Sequence, residues 1–521
     1  MARIIGIDLG TTNSCVATLD GQTPRVLADA DGERTVPSVV AFPENGGHPL
    51  VGIPARRQAV TNPARTIFGS KRLIGRKVNA PDVQEYARVA PYRIIASPTG
   101  DAWLRLDDTR DVSPQEVGAW VLEKMRKIAE VALGEPVTQA VVTVPAYFND
   151  AQRQATRDAG KLAGLDVRRI LNEPTAAALA YGVHRKKGRQ RLAVFDLGGG
   201  TFDVTLMSVE SGVFEVLATA GDMALGGDDF DRLIVDLVVR EARQTHGIEL
   251  GGDPVALGRV KEEAEKAKKA LSSEAATTLR LPFLALKGGT PLHLERTLTR
   301  AELESLARPL VDRLDVPCRQ ALLDAGLGVA DLDEVLLVGG MSRMPAVQQA
   351  VERIFARKPS KGANPDEIVA LGAAAEGGIL TGDLDGVVLV DVLPQSLGIK
   401  VGDGAFSVVM TRNTSVPARA RKLFATSRDN QAFVSVEVFQ GESQNVKENR
   451  HLGRFTLEGL PEGKAGSVRV ELNFLVDVDG IVHVSARELS TGKEASLKIT
   501  PSGGLGAEEM ARLLEARRAP P

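Results

Sequence analysis

The chain has 521 residues, a formal net charge of -3, and hydrophobic and charged shares of 43% and 25%, so it exceeds one ordinary core and predicts several structural units of a globular protein. Such a balance offers no field for nucleic acid or anionic lipid, no apolar run reaches the ~18 residues of a membrane span, and MARIIGIDLG lacks a secretory leader, so neither nucleic acid nor membrane is an expected partner. Two distant cysteines, Cys15 and Cys318, exclude a disulfide framework and point to a reducing, cytoplasmic setting, and six scattered histidines leave oxygen as the expected metal ligand.

The first strand, Ile4 to Asp8, runs into DLGTTNSCVA, where Gly10, Thr11 and Thr12 make a tight turn before the apolar run Cys15 to Leu19; this predicts a hairpin with Asp8 at its tip. SPQEVGAWVLEKMRKIAEVAL predicts a helix, with Ser113 and Glu116 as a capping box, Pro114 at its first position, and Val117, Trp120, Val121 and Leu122 facing a core. AVVTVPAYFNDAQRQATRDAG reads as strand, polar turn and helix, and RRILNEPTAAALAYG sets Glu173 at the head of a small-residue helix. The hairpin then recurs in AVFDLGGGTFDVTLMSV, with Asp196 before a turn of Gly198, Gly199, Gly200 and Thr201, and EVLLVGGMSRMPAVQQAVERIF repeats the strand, glycine turn and helix. The repeat predicts two related α/β lobes facing each other across a cleft. Near Asp383 the pattern changes. GDLDGVVLVDVLP, with its short apolar run Val387 to Val390, predicts a linker that docks, and the closely spaced short β-segments after it predict an all-β sandwich. GLGAEEMARLLEARRAPP supplies at most a short helix and a tail.

Glycine turns directly after strands suit phosphate binding, because missing side chains let backbone N–H groups approach an anion. Either turn alone is equally readable as a plain hairpin; as a pair, each with an adjacent Asp and Thr, they read as two clamps on one polyphosphate. Four carboxylates, Asp8, Glu173, Asp196 and Asp203, are available near that cleft, a set suited to a hydrated Mg²⁺ that bridges to phosphate. Taken singly, Glu173 also reads as surface charge. No P-loop, protein-kinase motif set or Rossmann fingerprint is present, so the nucleotide fold is of another kind.

IGIDLGTTNSCVA, KRLIG, VPAYFNDAQRQAT, NEPTAAALAYG, DLGGGTFDV, LGGDDFD and NPDEIVALGAAA occur in this order, and together they resemble the DnaK-type chaperones of the seventy-kilodalton heat-shock family to about Leu505. The resemblance implies a multidomain α/β plus β chain: an actin-like (ribonuclease H-like) two-lobed ATPase domain over residues 1–382, a linker over 383–392, an antiparallel β-sandwich peptide-binding domain over 393–501, and a shortened lid helix and tail over 502–521. It implies ATP-dependent binding and release of extended apolar segments of unfolded proteins, with ATP or ADP, Mg²⁺ and K⁺ as cofactors, and a J-domain co-chaperone and a GrpE-type nucleotide exchange factor as partners.

By the same resemblance Asp8, Glu173 and Asp196 organise Mg²⁺ through water, Asp203 accompanies potassium, and Lys71 and Thr201 stand by the γ-phosphate and its attacking water. Gly226 and Gly227 of LGGDDFD join the nucleotide contacts. Glu265, Lys268, Lys269 and Ser272 line the ribose and adenine from one side, and Gly339, Gly340, Arg343 and Asp366 from the other. Without the resemblance, Lys71 reads as a surface lysine and the Glu265 to Ser272 set as an exposed helix face. Pro145 and Arg153 match an interdomain relay, and Arg169, Asn172 and Asp391 match J-domain and interdomain contacts. Ile399, Phe424, Val434, Val436 and Val476 match the peptide channel, although alternating valines are equally sandwich core. Several positions depart from the pattern: most of the helical lid is missing, Gly402 and Ser427 stand where larger or apolar residues arch over the peptide, and Gln395 replaces a leucine after a linker that reads VVLV. These departures predict an open clamp with fast peptide exchange. An actin-like-fold metabolite kinase and a nucleotide-regulated scaffold are the alternative readings.

Overall fold

A computed structural model describes residues 3–44, 46–182, 188–287, 290–360, 364–498 and 504–518. Strand β1 (Ile4–Asp8) forms the predicted hairpin with β2 (Asn13–Asp20), placing Asp8 opposite Cys15. On its other side β1 runs parallel to β3 (Gln139–Val144), which in turn is parallel to β4 (Asp166–Asn172). The second mixed sheet repeats this pairing: β5 (Gln190–Leu197) makes a hairpin with β6 (Phe202–Glu210) and runs parallel to β8 (Glu334–Val338), while β7 (Val213–Asp222) continues beside β6. The internal repeat seen in the motifs is therefore a repeat of sheet topology. Near the second hairpin turn Phe195 and Phe202, both fully buried, meet at 4.7 Å between ring centroids, and each contributes roughly 2–3 kcal/mol by burial.

Helix α1 (Pro114–Leu133) begins as the capping box predicts: Ser113 accepts from the Glu116 N–H and Glu116 accepts from the Ser113 N–H. Val117, Val121 and Leu122 are buried, while Trp120 is only partly so. Asn149 and Gln152 cap α2 (Asp150–Leu162) in the same reciprocal way, which fixes where Arg153 leaves the helix. Helix α3 (Glu173–Gly182) crosses α6 (Ile368–Thr381) closely enough that a Cβ on Gly372 would lie 1.8 Å from the Ala176 carbonyl oxygen. Their small residues are thus a packing requirement. Helices α4 (Gly227–His246) and α5 (Pro254–Ala270) cover the second sheet through Phe230, Ile234 and Val260.

The expected linker is a strand. β9 (Val388–Val392) adds to the second sheet parallel to β7, with Val388, Leu389 and Val390 opposite Val213, Phe214 and Glu215. Beyond it lie two four-stranded antiparallel sheets. One has the order β11 (Ala405–Met410), β10 (Leu397–Val401), β13 (Phe433–Gln440), β14 (Arg450–Glu458). The other has the order β12 (Ala418–Ala425), β15 (Arg469–Val476), β16 (Val482–Glu488), β17 (Glu494–Lys498). Their inner faces share a core that includes Val438, Leu457, Leu472, Phe474 and Val484. Helix α7 (Ala507–Arg518) does not cover this pair of sheets; Met510 and Leu513 are buried against the core of the first sheet, and Arg517 lies over the Trp120 ring at 3.8 Å. Trp120 thus packs on the core with its inner side, as expected, and is covered on the outside by Arg517.

Candidate active site

Asp8 ends β1, and Thr143 on the parallel neighbour β3 donates its hydroxyl to Asp8 Oδ1 at 3.2 Å. Asp196 and Asp203 stand opposite each other on β5 and β6, either side of the glycine turn, and the Tyr147 N–H donates to Asp203 at 3.2 Å. Glu173 opens α3. Lys71, on a short 3₁₀ turn, donates to Glu173 Oε1 and to the Leu9 carbonyl, each at 2.6 Å. The two glycine turns meet: a Cβ on Gly199 would lie 1.9 Å from Thr12 Oγ1, and one on Gly200 would lie 2.8 Å from Thr11. Only glycine permits that approach. Thr201 closes the second turn through its carbonyl, which accepts from the Gly198 N–H at 3.1 Å.

Burial is the largest cause that pushes Asp8, Asp196 and Asp203 toward the neutral form, followed in each by the charge of Glu173; Asp203 rises to about 8. One ammonium, Lys71, faces these carboxylates. A site with this excess of buried negative charge is suited to a bound cation. Among the described residues no group of three or more His, Cys, Asp or Glu side chains converges to hold an ion directly. That donor set fits a hydrated Mg²⁺ that keeps several waters and shares phosphate oxygens, rather than an all-protein cage.

The nucleotide-side residues gather around the head of α4. A Cβ on Gly226 would strike the Gly199 backbone at 2.5 Å, and the Gly227 N–H donates to the Gly198 carbonyl at 2.9 Å, so both glycines pack on the second turn. Lys268 is turned inward: its ammonium donates to the Gly227 carbonyl and pairs with Asp231, both at 2.8 Å. Glu265 pairs with Lys269 and with Arg56, each at 2.6 Å, and Ser272 donates to the Lys268 carbonyl at 3.4 Å. Opposite them, Arg343 pairs with Asp366 at 2.7 Å, and Gly339 is held at φ +78° beside Leu197. Motif reading missed Thr143, Asp231 and Arg72. Arg72 pairs with Asp229 at 2.8 Å and with Asp228 at 3.5 Å, and reaches the Gly199 carbonyl at 3.3 Å. The adjacent basic pair in KRLIG and the acidic run in LGGDDFD were the available signals.

A second cluster joins the first 382 residues to the β-sheets. Arg153, buried, donates to the carbonyls of Ala146 (3.1 Å), Phe148 (3.0 Å) and Asp479 (3.3 Å) and to Asn172 Oδ1 (2.7 Å). Pro145 starts the turn that Arg153 braces, its carbonyl accepting from the Phe148 N–H at 3.1 Å. Asp479, in the turn between β15 and β16, also binds Arg157, accepts from the Ile170 N–H at 3.0 Å, and lies 3.6 Å from Arg169. Arg169 in turn lies 3.6 Å from Glu376 of α6. Asp391 accepts from Thr175 at 3.0 Å, and Asp150 accepts from the Val482 N–H at 2.8 Å. Farther along, Asp324 pairs with Arg412 at 2.8 Å and accepts from Asn413 at 3.0 Å. Tyr147, whose N–H holds Asp203, lies between Ala146 and Phe148, the two residues whose carbonyls Arg153 binds.

Among the residues expected to line a channel, Ile399 of β10 is opposite Val438 of β13, with Val436 and Val434 continuing that face, and Phe424 faces in from β12. Val476 does not join them. The β12–β15 register sets Phe424 opposite Val470 and Val476 opposite Ala418, at the end of β15 that meets Arg153 and Arg157. Six residues of strand separate Val476 from Val470, about 20 Å. Val470 is the β15 side chain beside Phe424; strand register, invisible in a motif, decides this. Gly402 has no heavy atom within 4 Å of where its Cβ would stand, and the Ser427 N–H donates to Gln431 Oε1 at 3.0 Å.

Comparison with known families matches the model for Hsp70 protein to residues 4–520. The chain belongs to the Hsp70 family. Hsp70 proteins combine an actin-like ATPase with a β-sandwich, and the mixed α/β sheets and paired β-sheets described above are consistent with that plan. As an Hsp70 this chain is an ATP-dependent chaperone and an ATPase, using ATP or ADP with Mg²⁺ and working with unfolded substrates and co-chaperones. Both cysteines of this Hsp70 are free and buried, and burial pushes their thiols well up. Among the described residues no helix is long and apolar enough to cross a membrane.

Proposed function

We propose that this Hsp70 is a DnaK-type, cytoplasmic chaperone in which the state of the nucleotide cleft controls the grip of residues 393–501 on extended apolar segments. Residues 1–382 act as a two-lobed ATPase, 383–392 as the linker, and 502–521 as a shortened lid helix and tail. The single observation that carries the reading is the continuous path from the carboxylate cluster to the β-sheets: Asp203 to the Tyr147 backbone, and from the flanking Ala146 and Phe148 carbonyls through Arg153 to the Asp479 carbonyl. β9, paired on β7, ties the same two parts together through backbone.

In the cleft, Lys71 and Glu173 orient the attacking water and Thr201 stands beside it, while the two glycine turns offer backbone N–H groups to the phosphates. Mg²⁺, when bound through water near Asp8, Glu173 and Asp196, supplies charge neutralisation. Asp203 is the potassium-side carboxylate. Arg169, Asn172 and Asp391 form the face for a J-domain co-chaperone, and a GrpE-type factor opens the cleft for nucleotide exchange. Ile399, Phe424, Val434 and Val436, with Val470 in place of Val476, line the peptide channel.

Allosteric coupling is reciprocal, so an extended apolar peptide raises ATP turnover. Turnover with and without such a peptide and a J-domain protein tests the reading, and equal rates under all conditions would sink it.

A further inference from the structure

On β12 the side chains alternate: Ala418, Ala420, Lys422 and Phe424 are half-buried, whereas Arg419, Arg421, Leu423 and Ala425 are exposed. A lysine thus stands on the inner face of a sheet, two residues from the channel side chain Phe424. Its ammonium crosses to the edge strand of the facing sheet, donating to Ser407 Oγ at 2.7 Å and to the Val408 carbonyl at 3.1 Å. Ser407 is the residue opposite Ile399. Lys422 therefore spans the gap between the wall that carries Phe424 and the wall that carries Ile399. Both of its oxygen partners are neutral, and among the described residues no carboxylate pairs with it. The segment ARARKLFA holds three cations and no acid.

A partly desolvated ammonium with neutral partners gains most from a carboxylate brought to it. Strands β11 and β12 are both sheet edges: β11 is bridged on its outer side at Ala405 and Phe406 by Asn445 and Gln444, whereas β12 has only β15 as a strand partner among the described residues, which leaves a side for an added extended chain. In an extended peptide, side chains two residues apart lie on one face at the spacing that separates Phe424 from Lys422 on β12.

We propose that Lys422 is a specificity-determining residue that makes the channel prefer extended apolar segments carrying Asp or Glu two residues from the apolar anchor. The bound carboxylate takes the place of Ser407 and Val408 at the ammonium. This inference rests on the peptide-binding reading above.

The test is fluorescence anisotropy on the full chain with ADP, using three labelled heptapeptides with a leucine anchor and Asp, Asn or Lys two residues away on either side. The expected order is Asp tighter than Asn, and Asn tighter than Lys. The Asp-to-Lys ratio is about fivefold at low salt and shrinks as salt is added. Lys422→Gln, which keeps a hydrogen-bond donor, brings the ratio close to one; Lys422→Arg keeps the ratio, as does Arg487→Gln on the far strand β16. Equal binding of the three peptides by the unaltered chain, or a ratio that survives Lys422→Gln, overturns the proposal. Failure of all three peptides to bind overturns the peptide-binding reading itself, and is thereby distinguished from the loss of charge preference alone.

Discussion

Replacing Glu376 with Gln weakens the pH dependence of docking of the β-sheets on the ATPase part. Glu376 is buried on α6 with one carboxylate oxygen unpaired, and the charges that face it are Arg169 on β4, which favours ionisation, and Asp479 in the β15–β16 turn, which opposes it. Burial is the largest cause that lifts its carboxyl from the ordinary 4.5 to about 7, with Arg169 opposing and Asp479 adding to it. Because the docked form holds this proton more tightly, docking takes up a proton. Docking is therefore strongest at low pH and weakens as pH rises through about 7. At ~1.4 kcal/mol per unit, ionising Glu376 costs at most ~3 kcal/mol above that pH. Arg169 faces Glu376 whether or not Asp479 is docked, so only the Asp479 repulsion and part of the burial belong to docking, about 1 kcal/mol or fivefold in the equilibrium. Trp120, covered by Arg517 of α7, reports whether α7, the helix that follows the β-sheets along the chain, stays seated on the first lobe, and Trp103→Phe leaves it as the sole tryptophan. With ATP present, its fluorescence between pH 5.5 and 8.5 should shift toward the undocked signal at high pH in the parent and shift less in Glu376→Gln, where Asp150, lifted by burial to about 6 beneath the Val482 N–H, carries the remaining slope. A flat parent curve, or the same slope in both proteins, refutes the role assigned to Glu376.

Lys71→Ala removes the one ammonium facing Glu173 and the aspartates, so single-turnover ATP hydrolysis should fall by about 10²-fold or more, while equilibrium binding measured with a labelled nucleotide persists. Asp479→Asn weakens the charged contacts to Arg157 and Arg169, so peptide should stimulate ATP turnover less, with little change in turnover without peptide. Gly372→Ala pushes a methyl into the Ala176 carbonyl and should cost ~1–3 kcal/mol, read as a lower thermal midpoint of the ATPase part, whereas Gly382→Ala has free space and carries only the strain of its left-handed backbone.

Two Asp-Gly-Thr hairpins, the capped helices α1 and α2, and the change of pattern near Asp383 were all legible in the chain, because strand alternation, capping residues and turn glycines act over a few neighbours. The carboxylates too stand inside contiguous motifs, whereas Lys71 reads as a surface lysine until the family resemblance is applied. What lay beyond the sequence involves residues far apart along it. Nothing local says that Gly199 must clear Thr12, that Lys268 turns inward to Asp231, or that Arg72 reaches Asp228 and Asp229. The short apolar run expected to dock became a full strand because β7 had an open edge to pair with it. Val476 was assigned to the channel by the family resemblance, but its neighbours are set by hydrogen-bond register, which puts Val470 beside Phe424. Glu376 and Lys422 carried no motif at all; burial beside Asp479 gives one its proton, and an inner-face position between two sheet edges gives the other its lack of a partner charge. Sequence alone determined which groups this Hsp70 has for phosphate and cation chemistry. Tertiary packing decided which of them are desolvated, which are paired, and how the nucleotide cleft is tied to the β-sheets, since those depend on what each group faces once water has been excluded.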